Sequence, residues 1–312
     1  MQDGLVVVDK PAAWTSHDVV ARMRKLYGQR RVGHAGTLDP DATGVLLVGL
    51  GRATRLLRYL QDAGKAYRAR VVFGIATDTL DASGAVLERA VMKLTKDHVV
   101  RTARAFVGEI EQIPPMVSAI KVDGRKLYEL ARAGVVVDRP PRPVRIDTLV
   151  VEDFVDGAYP EATLRIDCSS GTYIRSLAAD LGTALGGCAH LGELRRLRVG
   201  SFAVDEASTL DAIETDPQRF VLSPAAALRD MVEVVVDGEQ LRAIAHGATF
   251  AAPALLGELD APGPFAVIDG NGELLAVYER RGAGVKPAVV LAPQESTGQD
   301  STFQEPECQE QE

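Results

Sequence analysis

Between residues 33 and 44 the chain reads Gly-His-Ala-Gly-Thr-Leu-Asp-Pro-Asp-Ala-Thr-Gly. Three glycines and a proline this close together exclude a regular helix, and the segment is expected to be an ordered loop. Asp39 directly precedes Pro40, which steers it out of the helical region of backbone space. Taken alone, an Asp-Pro of this kind is a tight turn in which the carboxylate bonds its own backbone. A phosphate-cradling loop would need Gly-Lys-Ser/Thr after the glycines, and none follows. The rest of the chain decides what the loop is for.

On either side of it, hydrophobic spacing marks alternating elements. Residues 4–8 are a β-branched run closed by Pro11, hence a strand. Residues 16–27 place Val19, Val20, Met23 and Leu26 at helical spacing, with Thr15 or Ser16 as the N-cap. Strands are expected over 45–50, 66–74, 148–154 and 162–168, and helices over 54–60 and 96–106. A further helix over 173–185 ends at Gly186-Gly187. Beyond about residue 230 the texture becomes short strands over 232–236, 265–269 and 274–279, with Asp269-Gly270-Asn271-Gly272 as a hairpin turn. Residues 293–312 are rich in Gln, Glu and Ser and lack the apolar surface to offset ordering, so they are expected to be disordered.

The chain has 312 residues, 46% of them hydrophobic, enough for one large domain or two. Its three cysteines, Cys168, Cys188 and Cys308, have no CxxC spacing, which argues against a disulfide framework or a Cys-rich zinc site. No apolar run reaches the roughly 18 residues of a membrane helix, and the first residues lack a secretion-signal profile. The cytoplasm is the expected compartment. A net charge of -8 first argues against a polyanionic partner. Partitioned, residues 1–145 carry 24 Lys/Arg against 15 Asp/Glu, while residues 293–312 hold six acids and no base. The basic half is where a polyanion would bind. Within it, residues 112–145 hold seven Lys/Arg against three acids, with two Gly and five Pro. That stretch is too polar for core and too short for a domain, and is expected to be an inserted arm with a central helix near 126–132.

Five segments, in order, resemble the motifs of the TruB family, the pseudouridine synthases that modify uridine 55 of tRNA. Residues 33–44 are similar to the catalytic loop, Asp9-Lys10-Pro11 to the N-terminal Lys-Pro motif, and Lys65-Ala66-Tyr67 to the Lys-x-Tyr motif. Pro115 through Gly134 resembles the RNA-gripping thumb. Ser169 through Leu177, with Ala189-His190-Leu191 through Leu194-Arg195-Arg196, completes the set. Any one is weak; together they span about residues 5–200. The resemblance implies an α/β fold with a mixed, largely antiparallel central sheet, the thumb over 112–145 inserted into a catalytic domain over 1–230. A small β-rich domain of the PUA type follows over 231–292, on weaker motifs in an acidic region.

The resemblance also implies roles. Asp39 is the nucleophile on a flipped-out uridine, attacking either C1′ or C6. Arg175 pairs with it and is expected to keep it ionised against desolvation. Tyr67 packs on the base and assists removal of the C5 proton. Tyr173 contacts the base, Leu194 supplies an apolar wall, and His34 fills the space the nucleotide leaves. Lys121, Arg125, Lys126 and Arg132 hold the RNA backbone. No cofactor or metal is implied, the partner is the TΨC stem-loop, and a monomer without obligate protein partners is expected. The alternatives are a guide-dependent synthase within a ribonucleoprotein, and a non-catalytic tRNA-folding factor.

Two other constellations fail. Ser16-His17-Asp18 contains triad residue types, but consecutive side chains point apart. Cys188-Ala189-His190 has no second pair to complete a zinc site. On this reading, RNA binding should weaken with salt, and deleting residues 293–312 should leave pseudouridine formation intact. A large loss on that truncation, read by carbodiimide labelling and primer extension, would show the tail to be functional.

Overall fold

The computed structural model describes residues 2–115, 121–122, 125–126 and 139–291. Two compact units emerge, the first ending at Asp230 and the second starting at Met231. In the first unit the strands are β1 (Gly4–Lys10), β2 (Val32–Ala35), β3 (Thr43–Leu50), β4 (Lys65–Phe73), β5 (Ile75–Thr77), β6 (Val86–Arg89) and β7 (Gly108–Gln112). They continue as β8 (Lys121–Val122), β9 (Arg125–Lys126), β10 (Arg142–Val155), β11 (Glu161–Cys168), β12 (Ala189–Val199) and β13 (Phe202–Ala203). The main sheet runs β1-β3-β12-β4-β11-β10-β7, with β2 added to β3 and β13 to β12. Its pairings are antiparallel except for β3 with β12, which is parallel. This is the mixed, largely antiparallel sheet expected.

The apolar runs of β1 and β3 are buried on both faces, which explains why they lack polar alternation. Val6, Val8, Leu46, Val48 and Leu50 pack toward Val19, Val20 and Met23 of the helix Ser16–Leu26. Their neighbours Leu5, Val7, Val45 and Leu47 point the other way, against Leu57, Leu60 and Phe202. Successive strand side chains alternate faces, so each strand serves two cores. A third core joins β4 and β11 to Leu177 and Leu181 of the helix Ile174–Ala184.

The glycine-rich segment is only partly loop. Val32–Ala35 forms β2, pairing His34 with Val48 and Ala35 with Leu47 of β3. Tertiary pairing overrides the loop composition here, because the edge of β3 opposite β1 supplies hydrogen-bond partners. Further back along that same edge, β12 pairs Arg195 with Thr43 and Arg196 with Gly44. One edge of β3 is thus shared between two strands that diverge, and residues 36–42 span the fork.

The expected arm is rooted in the sheet: Arg142 pairs with Gln112 and Pro143 with Glu111, so its two ends extend β10 and β7. Lys121 pairs with Lys126 and Val122 with Arg125 in a short ladder. The helix expected near 126–132 is thereby corrected at its first residue, which lies in a strand. The remainder, including Arg132, falls outside the described residues, as does the expected disorder of 293–312.

The second unit carries β14 (Val232–Val235), β15 (Phe250–Ala251), β16 (Phe265–Ile268), β17 (Leu274–Arg281) and β18 (Gly284–Val290), in the order β14-β16-β17-β18-β15. The hairpin turn is present: the Asp269 carboxylate accepts from Asn271 N at 2.9 Å and Glu273 N at 2.8 Å. A helix at Gly238–Ala245, unanticipated from the sequence, covers this small sheet.

The fork dictates a glycine. Gly44 has φ +100°, and a Cβ there would lie 2.2 Å from the Arg196 carbonyl oxygen, a backbone atom that cannot swing away. At Gly33 a Cβ would meet side-chain methyls alone, Leu57 at 3.3 Å and Thr54 at 4.0 Å. Gly44→Ala should therefore cost about 2 kcal/mol or more. Gly33→Ala should cost less than about 1 kcal/mol. Urea unfolding checks both; equal costs would contradict the close approach at the fork.

Candidate active site

Asp39 projects from the loop that spans the fork, and its backbone is gripped by side chains from elsewhere in the chain. Ser16, buried at the start of its helix, donates from Oγ to Leu38 O at 3.3 Å and accepts from Leu38 N at 3.0 Å. Lys10, fully buried, donates to the carbonyls of Pro11 (2.8 Å), Trp14 (2.5 Å) and Pro40 (2.8 Å). Removal from water lowers its pKa to about 8. Arg196, 1% exposed, donates from Nε to Val45 O at 2.7 Å and from an Nη to Gly36 O at 3.0 Å. One guanidinium thereby ties the two ends of the loop together.

The Asp39 carboxylate meets Arg175, from the first turn of the helix Ile174–Ala184. The contact is two-pronged, Nε to Oδ2 at 3.1 Å and Nη2 to Oδ1 at 3.2 Å. The Arg175 side chain is only 7% exposed. Its Nη1 faces a second carboxylate, Asp81, at 3.5 Å and donates to Thr79 O at 3.3 Å. Between those two partners Leu80 adopts φ +63°, a left-handed conformation that L side chains rarely tolerate. The strain is stored where the backbone turns both Thr79 and Asp81 onto Arg175.

The electrostatics differ from the sequence expectation in one respect. Burial pushes the Asp39 carboxyl up, Arg175 opposes this, and Asp81 adds to the rise. Desolvation of the buried carboxyl outweighs the ion pair, and the neighbouring Asp81 charge works in the same direction as burial.

Beside Asp39 opens a cleft of about 270 Å³, at the small end for ligand sites. Tyr67, Tyr173, Arg175 and Leu194 all line it. Tyr67 sits in the middle of β4, paired across to Arg196 of β12, and its hydroxyl bonds that guanidinium. Burial pushes the phenol up against the opposing pull of Arg196, so a neutral hydroxyl faces the cleft at physiological pH. Tyr173 is the N-cap of its helix, and Gln112 clamps it: Tyr173 N donates to Oε1 at 2.9 Å and Nε2 donates to Tyr173 O at 3.2 Å.

His34 is not in this cleft. It lies on β2, edge-on to His17 with ring centroids 5.5 Å apart. Desolvation, with His17 and Arg196 adding to it, lowers its pKa to about 4, leaving a neutral flat ring. For Lys121, Arg125 and Lys126 the structure describes only backbone pairing, and Arg132 lies outside the described residues. A larger cleft of about 640 Å³ runs past Asp9, Trp14 and Arg22. Four of its charged side chains pair with each other, Arg195 with Asp9 at 2.7 Å and Arg22 with Glu214.

Sequence reasoning missed Lys10, Ser16, Asp81, Gln112 and Arg196 as site residues. Of these, Lys10 and Arg196 stood within quoted motifs, but β12 also carries Arg195 and Arg198, so the sequence does not single out the one that is fully buried.

Comparisons with known proteins point to one family. Residues 24–174 match the family model for the N-terminal domain of TruB family pseudouridylate synthase. Residues 175–235 match that for the tRNA pseudouridylate synthase B C-terminal domain. The chain is 46% identical over 302 residues to tRNA pseudouridine synthase B of Thermobifida fusca, covering 94% of this chain and 99% of that one. It is 48% identical over 254 residues to the same-named protein of Symbiobacterium thermophilum, covering 81% and 84%. Among solved structures, a chain of an H/ACA ribonucleoprotein bound to a substrate RNA containing 2′-deoxyuridine superposes with a TM-score of 0.72. The two share 25% identity, covering 94% of this chain and 86% of that one. A chain of a Cbf5-Nop10-Gar1 complex gives 0.70 at 27% identity, covering 92% and 83%. The fold, the paired Asp39 and Arg175, and these similarities lead to one conclusion: the chain belongs to the TruB family of pseudouridylate synthases.

Proposed function

We propose that this protein isomerises uridine 55 in the TΨC arm of tRNA to pseudouridine. The observation that carries the reading is the two-pronged Asp39–Arg175 pair at the mouth of a cleft sized for one base. The reaction is balanced without redox or hydrolysis. The N1–C1′ bond breaks, the base turns, C5 bonds to C1′, and the C5 proton is replaced by one on N1. Such chemistry needs a carboxylate nucleophile, a site shielded from water and a base lifted from its stack.

In this assignment Asp39 attacks, at C1′ or C6, while Arg175 fixes the aim of both carboxylate oxygens. Tyr67 and Leu194 sandwich the uracil, and the neutral Tyr67 hydroxyl favours packing over phenolate base catalysis. Tyr173 borders the base, and the uncharged His34 ring stacks where the nucleotide leaves the helix. Lys121, Arg125, Lys126 and Arg132 of the arm contact phosphates. The catalytic domain comprises residues 1–230 and the PUA-like domain 231–292. The enzyme works in the cytoplasm as a monomer without cofactor or obligate protein partner.

The relatives named tRNA pseudouridine synthase B share 46% and 48% identity with the chain, against 25% and 27% for the ribonucleoprotein chains. That difference favours tRNA over a guide-dependent substrate.

Asp39→Asn should abolish pseudouridine formation on unmodified tRNA while tRNA affinity stays within a few-fold, measured by carbodiimide mapping and filter binding. Turnover retained in that variant would remove Asp39 as nucleophile. The pH profile gives a second check. Attack requires ionised Asp39, and its pKa stands above the ordinary 3.8. Single-turnover rate should therefore fall with acid at a pH higher than 3.8. Asp81→Asn removes a charge that raises the Asp39 pKa, so the acid limb should move to lower pH. A limb displaced upward would contradict the shared-arginine electrostatics.

A further inference from the structure

The helix Ile174–Ala184 brings two residues to the base cleft from its start, Tyr173 as N-cap and Arg175 in the first turn. A tyrosine has no side-chain oxygen near enough to cap that turn, and its side chain makes no capping bond here. The hold comes from outside the helix. Gln112, the last residue of β7, lays its carboxamide against the Tyr173 peptide group: Oε1 accepts from Tyr173 N at 2.9 Å and Nε2 donates to Tyr173 O at 3.2 Å. The same carbonyl accepts from Leu177 N at 3.0 Å, so the helix and the clamp share it. Further along the turn, Ser176 Oγ donates to Ile113 O at 2.9 Å. Tyr173 and Ser176 stand three residues apart on one face of the turn, while Arg175 leaves from another toward Asp39.

The chemistry of the clamp fits its task. A carboxamide carries an acceptor and a donor side by side, the complement of one peptide group. Gln112 is 1% exposed and Ser176 3%, so bulk water does not take over a bond lost there. The amide is itself anchored: Gln112 pairs in the sheet with Arg142 of β10, and Arg139 donates from Nη1 to Pro114 O at 2.9 Å just beyond. These bonds engage the backbone of the turn and one buried hydroxyl. They leave the Tyr173 ring and the Arg175 guanidinium to the cleft.

We propose that Gln112, supported by Ser176, is a positioning residue for the isomerisation. It holds the first turn of this helix where Arg175 meets both oxygens of Asp39 and Tyr173 borders the base. The proposal rests on the reading of the reaction given above. Gln112 is buried and touches neither RNA nor the reacting atoms, so its effect falls on the chemical step and not on binding. A two-pronged contact at 3.1 and 3.2 Å fixes direction as well as distance. A shift of the turn by about 1 Å spoils that aim and costs about 100-fold in rate.

The test compares full-length variants on unmodified tRNA, below the melting point of each. It reads the single-turnover rate of pseudouridine formation, tRNA affinity by filter binding, and thermal melting. Gln112→Met keeps the length of the side chain and removes both of its bonds to Tyr173. Its rate should fall about 100-fold. Its affinity should stay within about three-fold of wild type, because phosphate contacts made elsewhere dominate binding. Ser176→Ala removes the bond to Ile113 O and should cost about 3- to 10-fold in rate. That variant decides the matter where Gln112→Met melts too early to assay. Val151→Ala opens a buried site in β10 away from the residues that line the cleft, and serves as the stability control. It should melt early and keep the wild-type rate. A rate equal to wild type in Gln112→Met or Ser176→Ala overturns the proposal, as does a loss seen in affinity alone or matched by Val151→Ala. No pseudouridine from the wild type sinks the reading of the reaction and the proposal with it. Product from the wild type with an unimpaired Gln112→Met sinks the proposal alone.

Discussion

A single buried cation holds the catalytic region together. Arg196 has almost no contact with water and bonds carbonyl oxygens and a phenol. Burying a charge this way is costly unless its donors are satisfied, and removal of one side of such an arrangement strands the other. The positions it satisfies are those where β3 is released by β2 and taken up by β12. Without Arg196 the carbonyls of Gly36 and Val45 would each lose a charged donor at the fork. The loop with Asp39, the hydroxyl of Tyr67 and the start of β3 are thereby mechanically one object.

The second organising device is an arginine shared between two acids. The ion pair with Arg175 favours the ionised form of Asp39, and burial opposes it. Burial, with the Asp81 charge adding to it, leaves Asp39 above the ordinary carboxylate range. A more basic carboxylate is the better nucleophile so long as it is ionised at the working pH. The strained backbone at Leu80 is the local cost of placing Thr79 O and Asp81 against one side chain.

Much of this was legible in the sequence, and unevenly so. The strands β1, β3, β4 and β11 announce themselves by β-branched runs, and Asp39, Arg175, Tyr67, Tyr173 and Leu194 are identifiable from ordered motifs. The two-faced burial of β1 and β3 is also implicit in their lack of alternation. By contrast, β2 was hidden in a glycine-rich segment because its partner is chosen by tertiary pairing. Ser16 and Gln112 carry no signal of their own because each bonds a main-chain group far away in sequence, and the role of Lys10, although it lies within a quoted motif, is hidden for the same reason. Such a bond leaves no trace in the identity of the residue bonded. The raised Asp39 pKa likewise depends on Asp81, whose approach to Arg175 is a matter of backbone conformation at one leucine.

Those main-chain bonds bear on how such a site can diverge. Lys10, Ser16 and Arg196 grip the loop by its peptide groups at Gly36, Leu38, Pro40 and Val45, and ignore its side chains. The supports read the path of the loop and are blind to its letters. An exposed position such as Thr37 can therefore drift toward new RNA contacts without disturbing the backbone that carries Asp39. Length is another matter, since a residue added or lost between 36 and 45 would put every grip out of step at once. Variation within this catalytic loop should accumulate as substitutions and almost never as insertions or deletions.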